Sequence, residues 1–421
     1  MRQKFLFYSV AGFFLFAVFM ESALGRDIAG KDHMLTESSK TGNFTDVTSA
    51  KVFKQITIFM CGDVMTGRGI DQILPYPSDP LIHEPYMKSA KGYVRIAEEL
   101  YGPIQQPVSF SYIWGDILEI LDQAAPDVCI INLETSITKS NDFWKGKAIH
   151  YRMHPENIPS LTAARVDVCS LANNHVLDWG YSGLLETLES LKKEKIAIAG
   201  AGRNLSEAED PAVIKIDGKG RVIVFSFGLT TSGIPLSWGA AENKIGVNLL
   251  KDLTKNTLRH FQKKIGQVKR TGDIVVASIH WGSNWGYDIP REQKILAHRL
   301  IDEAGVDIIH GHSSHHVKGI EVYKGKLILY GCGDFINDYE GIGGYEEFRA
   351  DLSFMYIATA DSATGKLIAL HLTPTQIRRF RVNRASEDDA LRLRDIINRE
   401  GAQFGTGAIL NKDNQLTLQW E

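Results

Sequence analysis

One pattern constrains this chain more than any other: an aspartate leads a short apolar run, and the run ends on a residue able to bind metal or move protons. It occurs four times, in Pro126–Glu134, Val166–His175, Gly272–Trp281 and Val306–His312. A fifth segment, Gln55–Asp63, shares the layout without the leading aspartate. Near-continuous apolar runs of this length are expected of strands covered on both faces, as in parallel sheets. Polar chemistry at their carboxyl ends is where open α/β sheets place ligands.

Helical periodicity separates these runs. Ile117, Leu118, Leu121 and Ala125 share one face of a segment over 114–125, and Leu184, Leu185, Leu188 and Leu191 do so over 182–194. A third helix is expected over 291–304, with Leu296, Ala297, Leu300 and Ile301 on its apolar side. Three hairpins follow other rules, turning around Asp217-Gly218, Lys324-Gly325 and Ser362–Gly365. The pattern predicts an α/β fold of two sheets, each with its strands in sequence order, flanked by helices. Ser386–Asp389 reads as a capping box opening a helix to about Glu400, and a strand-like Gln415–Trp420 ends the chain.

Four segments follow from composition. Arg2 and Lys4 precede an uncharged apolar run of 16 residues, Phe5–Met20, and small residues lie before Arg26. Residues 1–25 thus form either a cleaved secretory signal or an uncleaved anchor, and both imply export, to the outer membrane face, the periplasm or the extracellular space. Residues 26–52 are polar and aperiodic, a linker. Residues 53–383 form the main domain and 384–421 a helix-and-strand extension. The net charge of −3 from 47 basic and 50 acidic residues excludes the broad basic field of a nucleic-acid binder. The basic run Arg378–Arg381 reads as a solvated strand end. Cys61, Cys129, Cys169 and Cys332 all lie in apolar runs and read as free, buried thiols.

The five strand ends supply Asp63, Glu134, Asn174 with His175, His280, and the segment His312–His315. This is an oxygen and nitrogen ligand set without thiolate, suited to divalent Mn, Fe, Zn or Mg. A carboxylate shared by two ions with histidines around it suits phosphoryl chemistry. Each element has a plainer reading: Gly62-Asp63 as a turn, Glu134 as a strand terminus, Asn173-Asn174 as a cap, His280 as a hydrogen-bonded core residue. Their joint arrangement at the ends of neighbouring runs is what favours a site. His310, His312, His315 and His316 are four of the chain's 13 histidines.

The segments Gly62–Arg68, Asn132-Leu133-Glu134, Ala172–Gly180, His280-Trp281-Gly282 and Gly311–His315 resemble those of the CapA family, named for poly-γ-glutamate capsule biosynthesis and placed in the calcineurin-like metallophosphoesterase superfamily. The resemblance runs from about Ile56 to Phe335. It implies a metallophosphoesterase-like sandwich in α-β-β-α layers and one or two divalent ions held by Asp63, Glu134, Asn174, His280, His312 and His315. In that likeness Glu134 takes the bridging position and His175 protonates the leaving oxygen. Met65 stands where phosphoesterases usually carry histidine, Ser313-Ser314 replaces His-Pro, and Asp334 replaces an asparagine after Gly333.

Other residues leave two readings open. Arg68 contacts either an anionic substrate group or a surface acid. Trp179, Trp281 and Trp285 either line a cleft or pack in the core. The proline-rich stretch 75–107 either shapes the cleft or binds a partner. The functional expectation is an envelope protein for synthesis or export of poly-γ-glutamate or a similar anionic polymer, acting with membrane synthase components. The alternatives are a stand-alone phosphoesterase and a metal-stabilised binding component.

Overall fold

The computed structural model describes residues 54–250 and 255–421. The proposed signal or anchor (1–25) and the linker (26–52) lie outside the described residues. Residues 52–421 form one compact unit.

Two sheets face each other. In the ten-stranded sheet, Gln55–Val64, Val128–Leu133, Val168–Ser170 and Ala197–Ala199 run parallel and in sequence order. The seven-stranded sheet is built on Gly220–Leu229, Asp273–His280, Ile308–His312 and Lys326–Leu329, also parallel. Alternation along the strands explains the layering. Ile56, Ile58 and Met60 meet Val222, Val224, Ile274 and Val276 between the sheets. Phe59 and Cys61 point the other way, against helices Ile117–Ala124 and Gly180–Lys193. Val275, Ala277 and Ile279 likewise meet helices Lys255–Val268 and Arg291–Asp302. The order helix, sheet, sheet, helix is therefore the expected α-β-β-α arrangement. Each fully buried aliphatic side chain contributes roughly 1.5–3 kcal/mol.

The strand order differs from the expectation in two places. Leu352–Asp361 folds back antiparallel onto the open edge of Gln55–Val64, and Lys326–Leu329 sits between Ile308–His312 and its hairpin partner Ile320–Tyr323. In the first case the late hairpin covers an edge that would otherwise expose unpaired backbone. The helix expected over 114–125 begins only at Ile117, because Gly115 at φ 48° breaks it from the short 3-10 turn Tyr112–Trp114. Lys255–Val268 is a helix that the sequence reading did not include; Leu258, Phe261 and Ile265 form its buried stripe. The end of the chain is integral rather than appended. Helix Glu387–Gly401 is capped by the Ser386 side chain at Asp389 N, and strands Thr406–Leu410 and Leu416–Trp420 continue the ten-stranded sheet.

The leading aspartates have a structural role. Asp127 accepts the N–H of Thr57 at 2.9 Å while its own N–H donates to Thr57 O; Asp167 does the same with Cys129, and Asp307 with Val275. Each thus clamps the start of one parallel strand to the strand before it. All four cysteines are free and buried, as expected.

Candidate metal centre

The carboxyl ends of both sheets converge. Gly62 makes the approach possible: a Cβ there would lie 1.6 Å from Gly333 O, so only glycine lets Asp63 N donate to that carbonyl at 3.0 Å. Register then places Asp63 beside Asn132 on one side and Asp334 on the other. In the second sheet His280 and His312 are cross-strand neighbours with their Nδ1 atoms 2.9 Å apart. His315 Nδ1 lies 2.8 Å from Asp334 Oδ1.

Two groups of side chains have ligand atoms within 4.8 Å of one another: Asp63, His280 and His312; and Asp63, His315 and Asp334. Asp63 belongs to both. The shared carboxylate in this geometry is therefore Asp63, whereas the resemblance gave the bridging position to Glu134. Glu134 stands beside it, with Asn132 Nδ2 donating to Asp63 at 2.7 Å and to Glu134 at 3.3 Å. Asn174 Oδ1 lies 3.0 Å from His280 Nε2. All six residues chosen from the sequence as ligands thus meet in one place. Asp334 is a seventh; sequence reading treated it only as a departure from the family wording.

The electrostatics suit a cation. Burial, then the neighbouring Asp334, pushes Asp63 up to about 7. Burial and Asp63 raise Glu134 well above the usual carboxylate range. Burial holds His280 and His312 well below the usual imidazole value, with His175 adding to the effect at His280 and His280 to that at His312. Burial lowers His315 too, but Asp334 beside it leaves a net upward shift. Crowded carboxylates and neutral imidazoles are the donor set that a divalent ion relieves, and the absence of thiolate points to Mn, Fe, Zn or Mg. The residues present therefore fit the implied metal. Met65 does not join them; its buried sulfur accepts the Tyr339 hydroxyl at 3.5 Å. Ser313 takes φ 97°, a conformation rare outside glycine, and its N–H donates to Asp63 Oδ2 at 3.2 Å. Of the other histidines in this segment, His310 Nε2 lies 2.7 Å from Cys61 O, bridging the sheets, and His316 packs among Trp285, Tyr287 and Phe348.

His175 sits at the rim with its Nε2 3.8 Å from Glu134. Its Nδ1 is 2.6 Å from Asp178, and Lys147 contacts Asp178, the Asn174 carbonyl and His175. Asp178 and Lys147 thus orient the ring through Nδ1, leaving Nε2 facing the centre. Asn173 holds the loop by accepting the N–H groups of His175 and Val176 and donating to Asn132. Lys147 and Asp178 were missed as functional residues. Asp178 lies inside the Ala172–Gly180 segment that suggested His175, but Lys147 comes from an irregular loop with no periodicity to mark it.

Arg68 needs correction. It is 3% exposed and bound to Asp338 through Nε and Nη2, and to Glu84 and Tyr93 through Nη1. Its acids are internal, not surface groups, and its guanidinium lies over the Tyr93 and Tyr151 rings. Glu84, Tyr93 and helix Lys91–Tyr101 all come from the 75–107 stretch, so that stretch builds the wall of the site. Arg68, Tyr86, Tyr101, Trp285, His315 and Tyr339 are among the residues lining a cavity of about 600 Å³ beside the centre, which it reaches at His315. Of the three tryptophans, only Trp285 lines it. Trp281 is core, and Trp179 is buried beneath Arg152.

The family model described as "Bacterial capsule synthesis protein PGA_cap" matches residues 57–339. A probable polyglutamine synthesis accessory protein of Mycobacterium tuberculosis is 47% identical over 364 residues, covering 86% of this chain and 96% of that one. The PGA biosynthesis protein CapA of Bacillus subtilis is 34% identical over 217 residues, covering 51% and 54% of the two chains. A solved phosphatase from Mycoplasma pneumoniae covers 76% of this chain and 94% of its own at 13% identity, with a TM-score of 0.43, too distant to carry an argument. With two-thirds of its length matched by the family and its site built from the matched segments, the chain belongs to the bacterial capsule synthesis (CapA) family.

Proposed function

We propose that this protein is an exported, envelope-associated hydrolase with a divalent-metal centre, serving synthesis or export of poly-γ-glutamate or a similar anionic polymer beside membrane synthase components. The observation that carries the hydrolase reading is the pair of ligand groups sharing Asp63, with His175 facing them from one side. A divalent ion in such groups would polarise the scissile bond and activate water. The rest falls to the chain. Asp63, His280 and His312 would hold one ion and Asp63, His315 and Asp334 a second, with Glu134 and Asn174 alongside. His175, held by Asp178 through Nδ1, would take up a second proton at Nε2 from solvent and pass it to the leaving group. Lys147 keeps Asp178 charged and in place.

Catalysis is favoured over a purely metal-stabilised role by the cavity. His315 and Tyr339 line about 600 Å³ of open space, so one side of the centre is reachable by substrate, unlike a closed structural site. The export reading rests on the sequence of residues 1–25. The test is to assay the full-length protein, loaded with Mn, Fe, Zn or Mg, on phosphomonoesters, phosphodiesters and γ-glutamyl polymers. Turnover with one class that falls about 10²–10⁴-fold in His175→Gln, metal content unchanged, supports the proposal. No turnover on any class would reject it.

A further inference from the structure

The basic run Arg378–Arg381 lies at a strand end with Arg378 exposed, as expected, but Phe380 within it is buried. It forms the turn between strands Leu367–Ile377 and Val382–Arg384, with Arg379 and Phe380 at φ 61° and 54°. Two adjacent non-glycine residues in that region are strained, so something must hold them. Phe380 does: its ring is fully buried and its N–H donates to Glu340 at 2.6 Å. With Phe380 as the anchor, the arginines around it are displayed together.

Arg378, Arg379, Arg381 and Arg384 line a cavity of about 550 Å³, together with Tyr101, Tyr112 and other neutral residues, and no acid lines it. Of the four guanidinium groups only Arg381 has a carboxylate partner, Asp116 at 2.6 Å. Arg378 lies over the Tyr101 ring at 4.7 Å, and Arg379 reaches the Pro103 carbonyl. The Nε atoms of Arg379 and Arg381 are buried without a hydrogen-bond partner. Buried guanidinium donors left unpaired are costly unless an acceptor arrives. Asp351 accepts from Gln376 Nε2 at 2.9 Å and lines the neighbouring cavity, and Asp116 Oδ2 accepts the Arg384 N–H at 3.0 Å. Glu340 lies under the turn and binds its backbone; Glu387 and Asp388 are exposed on the following helix. This positive cavity belongs to a chain whose net charge is −3.

Its position gives it meaning. Tyr101 and Gln376 line both this cavity and the one beside the metal centre, so the two are neighbours. We infer that the arginine cavity is a subsite for a linear polyanion, holding repeated carboxylate or phosphate groups of a chain whose other part lies at the metal centre. Planar, always-charged guanidinium forks suit such groups better than ammonium would. The inference deepens the functional reading above and rests on it only for the link to chemistry.

The test uses full-length protein in detergent and fluorescence anisotropy of labelled poly-γ-glutamate oligomers, polyphosphate of matched charge, and uncharged polyglutamine. Both anionic chains should bind more tightly than the neutral one, with affinity falling as salt rises; the tighter of the two identifies the anion. The double variant Arg378→Glu/Arg384→Glu, at exposed positions without ion pairs, should weaken the preferred polyanion at least about 10-fold, and Arg378→Lys/Arg384→Lys should retain most binding. Turnover of a small phosphomonoester, where present, should stay within about twofold in both. A charge-reversed protein that binds the polyanion as tightly as the parent overturns the subsite, as does equal binding of charged and neutral chains. Absence of any hydrolysis with the binding pattern intact would count against the enzyme alone.

Discussion

The two ends of the same parallel strands carry the same residue type to opposite purposes. At the amino ends, Asp127, Asp167 and Asp307 each have a private set of donors: a neighbouring backbone N–H, and for Asp127 and Asp307 lysines as well. At the carboxyl ends, Asp63, Glu134 and Asp334 crowd one another among imidazoles, with Asn132 shared between Asp63 and Glu134 and Asn337 donating to Asp334. The first arrangement is complete as it stands and fixes strand register. The second sets carboxylates against one another, a crowding that a bound cation would relieve. What separates the two kinds of aspartate here is therefore the carboxylates beside them, not burial, since Asp307 and Asp63 are both buried.

That contrast can be broken by exchanging the two outcomes. The largest effect is expected from Asp63→Asn, which removes the carboxylate common to both ligand groups: hydrolysis should fall by about 10³-fold or more, read as kcat/KM. If the mutant retains activity while an amino-end variant loses it, the assignment of roles is inverted. Asp178→Asn should lower kcat by about 10²-fold or more at unchanged metal content, because His175 loses the carboxylate that orients its ring and stabilises its protonated form. Arg68→Ala leaves the buried carboxylates of Glu84 and Asp338 without their cation, and should cost about 3–5 kcal/mol in denaturant unfolding. Asp307→Ala should cost about 1–3 kcal/mol, by leaving Val275 N–H and two lysines without their acceptor, with metal content untouched. The smallest effect, about 1 kcal/mol, is expected for the more exposed Asp127→Asn, measured the same way.

Sequence reading reached the strand-end half of this comparison because parallel strands obey a simple rule: an apolar run announces the strand and its last residue faces the ligand. That rule placed Asp63, Glu134, Asn174, His280, His312 and His315 together. It could not distinguish the leading aspartates, whose partners are strand neighbours 32 to 70 residues distant. It also missed Asp334, which stands on a strand of three residues, too short for periodicity, paired in register with Asp63. Arg68 was misjudged for a related reason: Glu84 and Asp338, the acids that bury it, are 16 and 270 residues away. The turn Arg378–Arg381 reads as solvent-facing in sequence because nothing local shows that Phe380 anchors it inward.

The most direct test of the central claim is a metal count by elemental analysis on the full-length protein and three variants. The account predicts about two divalent ions per parent chain, loss of both in Asp63→Asn, loss of about one in Asp334→Asn, and no loss in Asp307→Ala. An Asp63→Asn protein that keeps the parent's full metal content would contradict it.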